Sequence, residues 1–268
     1  MSEPTAPSSM RTYFERVQTA WQPHQTAAHP YAANRTWQRN YRALCAWVAA
    51  NQLENGRVLE VGSGTGLLQD VVPNYVGVDI TANSAAFMHK PFGVGSATEL
   101  PFPTNSFDAA FSFWVLEHIE RPAAMLDEMR RVVRPGGTIF LVAAYAVAPW
   151  VSQGLHRRPF RELSLRQRLI KLTIPLRASA PYRISTTLLR RSADLAGALR
   201  RRPTRLRYGR LTPNFTTYWD YDADACVALD AYSVALYFLS RGDQPLFPVG
   251  LLRGLFLRSR PQIYRITK

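Results

Sequence analysis

Residues 58–66 read Val58-Leu59-Glu60-Val61-Gly62-Ser63-Gly64-Thr65-Gly66. A short β-branched run that stops at glycines is the pattern of a buried parallel strand entering a tight turn. Glycine lets the backbone turn there and approach a ligand with no Cβ in the way. A helix is expected to follow the loop. Working outward, Tyr75-Val76-Gly77-Val78 repeats the strand pattern, and Gly93-Val94-Gly95 repeats it weakly. Phe107 to Phe113 and Thr138 to Ala144 give two more strands. A helix is expected from Pro122 to Val133, since proline suits a first turn and Pro135-Gly136-Gly137 stops it. A helix over Asp230 to Arg241 and strands at Gln244 to Phe247 and Gln262 to Ile266 complete the series. Strands alternating with helices argue for a parallel sheet with helices on both faces.

The chain has 268 residues. That is room for one domain with an insertion, or two small domains at most. The only cysteines, Cys45 and Cys226, build neither a disulfide framework nor a metal site. No metal is expected, and a reducing cytoplasm is the expected compartment. The polar start, Met1 to Met10, lacks the apolar centre of a signal peptide. No run reaches the roughly 18 apolar residues of a spanning helix. Residues 11–54 carry helical spacing with many aromatics.

Three features sharpen the glycine loop. Asp79 ends the second strand 17 residues after Gly62, where an acid can accept both hydroxyls of a ribose. Gly95-Ser96-Ala97-Thr98-Glu99-Leu100-Pro101-Phe102 follows the third strand. Ser106-Phe107-Asp108 opens the fourth strand, and Leu116-Glu117-His118 closes it. A nicotinamide or flavin loop has its third glycine one residue later than Gly66.

In these motifs and their order, Val58 to Val142 resembles the type 11 branch of the class I S-adenosylmethionine-dependent methyltransferases. The resemblance implies an α/β, Rossmann-like sheet of seven strands, mostly parallel, with the last hairpin antiparallel. It implies S-adenosyl-L-methionine as cofactor. Glu60, Gly62, Ser63, Gly64 and Gly66 would line its methionyl part. Asp79 would bind the ribose, Ile80 would lie against the adenine, and Ser96 and Ala97 would meet the adenine edge. Ser112 and Phe113 would lie near the sulfonium. The family usually has Asp where this chain has Ser96; a hydroxyl also accepts a hydrogen bond, but without charge assistance.

Methyl transfer from an activated sulfonium depends mainly on positioning. A base is needed only for a poorly acidic hydroxyl. His118 is one candidate, since imidazole titrates near neutrality, and a loop-holding role is the other. Tyr31, with His24, His29 and Arg35, could belong to a lid over the acceptor. The organisation expected is a helical lid over 1–54, a cofactor-binding core over 55–150, a basic and mainly helical insertion over 151–215, and the rest of the core over 216–268.

The net charge of +14 is confined to that insertion. Residues 151–215 hold 16 basic and 2 acidic side chains, whereas residues 1–150 hold 11 and 12. Leu188, Leu195 and Leu199 recur at helical spacing among Arg190, Arg191, Arg200, Arg201 and Arg202. Leu165, Leu169 and Leu172 do the same among Arg166, Arg168 and Lys171. Basic amphipathic helices lie flat on anionic membranes, and solvated helices packing leucines on a core look alike. Nucleic acid is the weaker partner: Ser112-Phe113-Trp114-Val115 is not the Pro-Pro motif of amino-adenine enzymes, and neither cysteine follows a proline. The polar-aromatic stretch from Trp219 to Asp224 suits either a sugar or an acidic helix start.

The expected function is methyl transfer to a small-molecule or lipid- or glycan-linked acceptor, at oxygen rather than carbon, in the cytoplasm or at the inner membrane face. An RNA methyltransferase and an inactive, methyltransferase-like binding subunit are the alternatives.

Overall fold

In the computed structural model, two helices, α1 (Met10–Ala20) and α2 (Arg35–Ala50), precede strand β1 (Val58–Val61). The structure describes residues 10–20, 34–145, 147–200, 203–215, 222–246, 253–256 and 261–268. Four more strands follow: β2 (Tyr75–Asp79), β3 (Phe92–Val94), β4 (Phe107–Phe113) and β5 (Val133–Val142). Helix α3 (Pro122–Val132) lies between β4 and β5. Two short strands, β6 (Tyr208–Arg210) and β7 (Val227–Leu229), pair with each other antiparallel. The chain then adds β8 (Gln244–Pro245) and β9 (Gln262–Arg265) to the main sheet. Its order is β3-β2-β1-β4-β5-β9-β8. All neighbours from β3 to β5 are parallel, β9 runs antiparallel to β5, and β8 antiparallel to β9. The fold is therefore the seven-stranded, Rossmann-like α/β sheet with an antiparallel last hairpin.

β1 and β2 are buried at every position, which is why their sequences are continuously apolar around Glu60 and Asp79. Ala109, Phe111 and Phe113 point to one face of β4 by strand alternation. There they pack with Phe140, Val142 and the α2 residues Leu44, Trp47 and Val48. Phe113 stacks on Phe140 at 5.7 Å, and Trp47 lies 5.4 Å from the same ring. Helix α3 buries Met125, Leu126, Met129 and Val132 and packs on β5.

One expected element is absent. Residues 67–74 make turns, not a helix, with Gln69 N–H bonded to Gly66 O at 3.2 Å and Val71 N–H to Leu68 O at 3.1 Å. Too few residues separate Gly66 from Pro73, and the residue before a proline is pushed out of the helical region. A 3₁₀ turn over Ala82–Phe87 follows β2. The crossover between β4 and β5 thus carries the only α-helix between neighbouring strands in residues 58–142.

Two compact units make up the chain. Residues 7–143, 242–247 and 260–268 form the sheet unit; residues 144–241 and 248–259 form the other. The second unit contains α4 (Pro149–Ser152), α5 (Leu165–Ala178), α6 (Ala180–Arg200) and α7 (Ala231–Leu239), together with β6 and β7. Ser164 and Gln167 form a capping box that starts α5. Helix α7, expected beside the last strands of the sheet, belongs to this unit. It is buried from Ala231 to Phe238. Trp219, Asp220 and Tyr221 lie outside the described residues, as do Arg201 and Arg202. Among the described residues no helix is long and apolar enough to cross a membrane, and no cluster of His, Cys, Asp and Glu could hold a metal.

The second unit is tied together by one acid. Asp230 caps α7 through the Tyr232 N–H at 3.2 Å and accepts two bonds from Arg191, from Nε at 3.0 Å and Nη2 at 3.0 Å. Arg190 adds a third guanidinium contact at 3.2 Å. Arg191 and Asp230 are both buried. Removing one partner of a buried pair leaves an uncompensated charge, which costs about 3–5 kcal/mol. Asp230→Ala is therefore expected to lower the stability of this unit by about that amount, read from denaturant unfolding. A loss below about 1 kcal/mol, the size typical of an exposed pair, would show that the pair is not closed from water.

Candidate active site

The C-terminal ends of the parallel strands and the loops that follow them enclose a cavity of about 600 Å³. Glu60, Gly62, Ser63 and Gly64 line it from β1 and its loop, Asp79 and Ile80 from the end of β2, and Ser96 and Ala97 from the loop after β3. Phe113 and His118 line it from the end of β4. This is where ligands bind in open α/β sheets, outside the carboxyl ends of the strands. Ten of the residues singled out from the sequence thus share one cavity.

The glycine loop is held by backbone geometry and by Asp79. Gly62 has φ +78°, and a Cβ there would fall 2.3 Å from Val115 Cγ2. Any side chain at this position would push the β4 loop away. Gly64 has φ +51° and donates its N–H to Asp79 Oδ2 at 2.9 Å. A Cβ on Gly64 meets no protein atom within 4 Å, so its freedom serves the turn and the space a ligand would fill. The other Asp79 oxygen, Oδ1, accepts the Thr81 N–H at 3.1 Å. The Thr81 hydroxyl also lies 3.1 Å from Oδ1, so Oδ2, which takes the Gly64 N–H, is the oxygen with a lone pair to offer a ligand hydroxyl.

Glu60 is a different kind of acid. It is almost wholly buried and accepts the Tyr75 hydroxyl in a short hydrogen bond. Burial pushes its carboxyl up to about 8; the Tyr75 bond opposes that rise and the nearby charge of Asp79 adds to it. The same burial, with Glu60 beside it, raises the Tyr75 hydroxyl.

Two expected residues do not line the cavity. Ser112 is buried and donates its hydroxyl to Val61 O at 2.7 Å, tying β4 to β1; it does not line the cavity. Gly66 does not line it either, and a Cβ there would meet Gln69 and Met88. Tyr31, His24 and His29 lie outside the described residues. Ser96 lines the cavity, but its hydroxyl is shared with Thr98, whose N–H reaches it at 3.2 Å. Asp108 holds Arg57 N–H at 2.6 Å and Arg134 Nε at 2.6 Å, a framework role.

Within the segment expected to be a helical lid, four residues not singled out in the sequence, Met10, Phe14, Val17 and Gln18 of α1, line the cavity. Their spacing is that of one helical face. Gln18 accepts the Thr81 hydroxyl in a short bond and the Ser84 hydroxyl at 3.3 Å, which anchors α1 over the end of β2. Phe14 meets His118 edge-on at 5.5 Å. Trp37 of α2 lies 5.6 Å from Trp114 and 6.0 Å from Phe113, and Arg11 and Arg121 also border the space. Trp114 adopts φ +52°, an uncommon backbone state for a large residue.

Residues 59–141 match the profile of the methyltransferase domain family, type 11. This segment is a class I methyltransferase domain. Demethylmenaquinone methyltransferase from Beutenbergia cavernae is 37% identical over 103 residues, which is 35% of this chain and 42% of that protein. An uncharacterised protein of Methanocaldococcus jannaschii is 34% identical over 123 residues, 44% of this chain and 49% of its own length. Fatty-acid O-methyltransferase from Mycolicibacterium smegmatis is 29% identical over 195 residues, 65% of this chain and 69% of that protein. The chain spans half or less of the length of the first two relatives.

The domain's cofactor is S-adenosyl-L-methionine, and the cavity suits it chemically. Glu60 and Asp79 border a space that no protein atom fills around Gly64, while Ile80 and Ala97 add apolar surface to it.

Glu60 makes the stability of the ligand-free protein depend on pH. An unfolded glutamate titrates near 4.5, while the folded one holds its proton up to about 8. Between those values only the folded chain carries that proton, so stability falls as pH rises. It is fully present below about 4.5 and is lost as pH passes through about 8. Glu60→Gln keeps an acceptor for Tyr75 and is expected to flatten this slope. Thermal unfolding of both proteins from pH 5 to 9 checks it; parallel curves would mean Glu60 is ionised in the fold.

Proposed function

We propose that the chain transfers the methyl group of S-adenosyl-L-methionine to an oxygen of an acceptor with an apolar body, either a small molecule or a lipid-linked one. The observation that carries this reading is the composition of one cavity. Polar side chains, among them Glu60, Asp79 and Ser96, line it together with an apolar group made of Phe14, Trp37, Phe113, Trp114 and Ile119. When bound, the cofactor supplies an electrophilic methyl group, and the acceptor must approach it in line. An aromatic wall binds an apolar acceptor and excludes water, and holding the two reactants in place can supply much of the rate. Arg11, Glu120 and Arg121 also border the space, and either guanidinium offers a partner to an acidic acceptor.

Asp79 is read as the ribose acid and Glu60 as the residue facing the methionyl group. His118 is read as the base for a hydroxyl acceptor; a carboxylate acceptor is already anionic and needs none. The likeness to a fatty-acid O-methyltransferase over 65% of the chain supports the oxygen acceptor. A location at the inner membrane face is part of this reading, because an apolar acceptor is concentrated there.

Incubation with methyl-labelled cofactor and separated lipid, small-molecule and RNA fractions tests the acceptor. Label is expected in the lipid or small-molecule fraction. Release by mild alkali would mark an ester, hence a carboxylate acceptor, and resistance an ether. Label in RNA would overturn the reading, and so would cofactor binding with no transfer to any fraction.

Asp79→Ala is expected to weaken cofactor binding by about ten- to a hundredfold, since charge-assisted hydrogen bonds to two hydroxyls are lost. Calorimetry with S-adenosylhomocysteine on the folded variant reads this. Unchanged affinity would remove Asp79 from the site.

A further inference from the structure

Helix α5 carries a row of leucines that the protein leaves in solvent. Leu165, Leu169, Leu172 and Leu176 are 74%, 58%, 65% and 63% exposed. At 3.6 residues per turn they fall within about 60° of the helix circumference. The opposite side, with Ile170, Thr173, Ile174 and Arg177, is half-buried, so α5 already packs within its own unit and still presents the leucine row outward. Ile184 and Leu189 of α6 add exposed apolar surface, at 58% and 73%. Scattered apolar residues on a surface need no explanation, but an ordered row of four on one helix does.

The face singled out from the sequence behaves differently. Leu188 and Leu195 are half-buried, and between them Arg191 is buried against Asp230 and donates to Leu255 O at 2.7 Å. That face of α6 is turned to α7. It is an internal face, and its arginines 190 and 191 are paired with Asp230.

We infer that the α5 leucine row is the face that docks on an anionic lipid bilayer. This rests on the membrane-surface location proposed above and names the element that would provide it. Charge complementarity favours a bilayer. The segment around the row has 16 basic and 2 acidic side chains, and Arg161, Arg166 and Arg183 are exposed. By the helical period Arg166 and Arg168 follow on either flank of the row. An apolar stripe with basic flanks enters the boundary between headgroups and acyl chains, where both parts are satisfied. A second copy of this chain would bring the same positive charge against itself. RNA would use the charges and leave the leucines in water.

Vesicle flotation with the full chain tests this. Wild type is expected to float with phosphatidylglycerol–phosphatidylcholine vesicles, to release at raised salt, and to stay behind with pure phosphatidylcholine. The combined Leu165→Ser, Leu169→Ser, Leu172→Ser and Leu176→Ser variant should bind at least about tenfold more weakly, with an unchanged circular dichroism spectrum because these side chains are exposed. Should it misfold, Leu169→Ser with Leu172→Ser alone gives the same comparison. Arg161→Gln, Arg166→Gln and Arg183→Gln together should weaken binding and reduce its salt dependence. Wild type that ignores anionic vesicles, or a leucine variant that floats like wild type, overturns the inference. A wild-type dimer that the leucine variant dissociates also overturns it, by giving the row to a second copy. Transfer of label to a water-soluble acceptor, measured without vesicles, should be equal in wild type and leucine variant. A membrane failure is thereby separated from a failure of the methyl-transfer reading.

Discussion

The cavity depends on where the Asp79 carboxylate is held and what it holds. Oδ2 takes the Gly64 N–H and Oδ1 the Thr81 N–H, so one side chain joins the loop after β1 to the loop after β2. The Thr81 hydroxyl, 3.1 Å from the same Oδ1, continues the link to Gln18 of α1. Three segments far apart in sequence therefore meet at one carboxylate. Buried polar groups that are fully satisfied specify a unique arrangement, whereas partly satisfied ones are costly. The floor of the site, its loop and its covering helix stand or fall together for this reason.

The sheet was legible because its central strands are buried and must be apolar whatever they pack against. Val58 to Val61 and Phe107 to Phe113 could be read without knowing their neighbours. Gly62 and Asp79 were legible because a tight turn and an acid at a strand end restrict residue type; Ser96 was reached through the family resemblance. What failed was set by length or by contact. The helix after Gly66 was expected from the usual order of elements, but Pro73 arrives too soon. Ser112 was placed in the site because of its position on β4. Its hydroxyl goes to Val61 O, a choice between two faces of one strand that no local pattern reveals.

The same limit explains the basic helices. Hydrophobic periodicity finds the apolar stripe of a helix but not what covers it. On α6 the cover is set by Asp230, 39 residues from Arg191 in sequence. On α5 the leucines stay outside. Two stretches with similar composition thus end in different environments. On α6, Asp230 neutralises Arg190 and Arg191, and Arg191 packs inward with it.

Two of the acids that line the cavity have different surroundings. Asp79 accepts backbone N–H bonds, while Glu60 is buried with Tyr75 and its carboxyl is pushed up to about 8. An anion that far from water is costly unless a cation comes to it. The ligand-free site avoids the cost by keeping Glu60 neutral. A cation brought beside Glu60 would favour its ionised form, and a neutral group of the same shape would not.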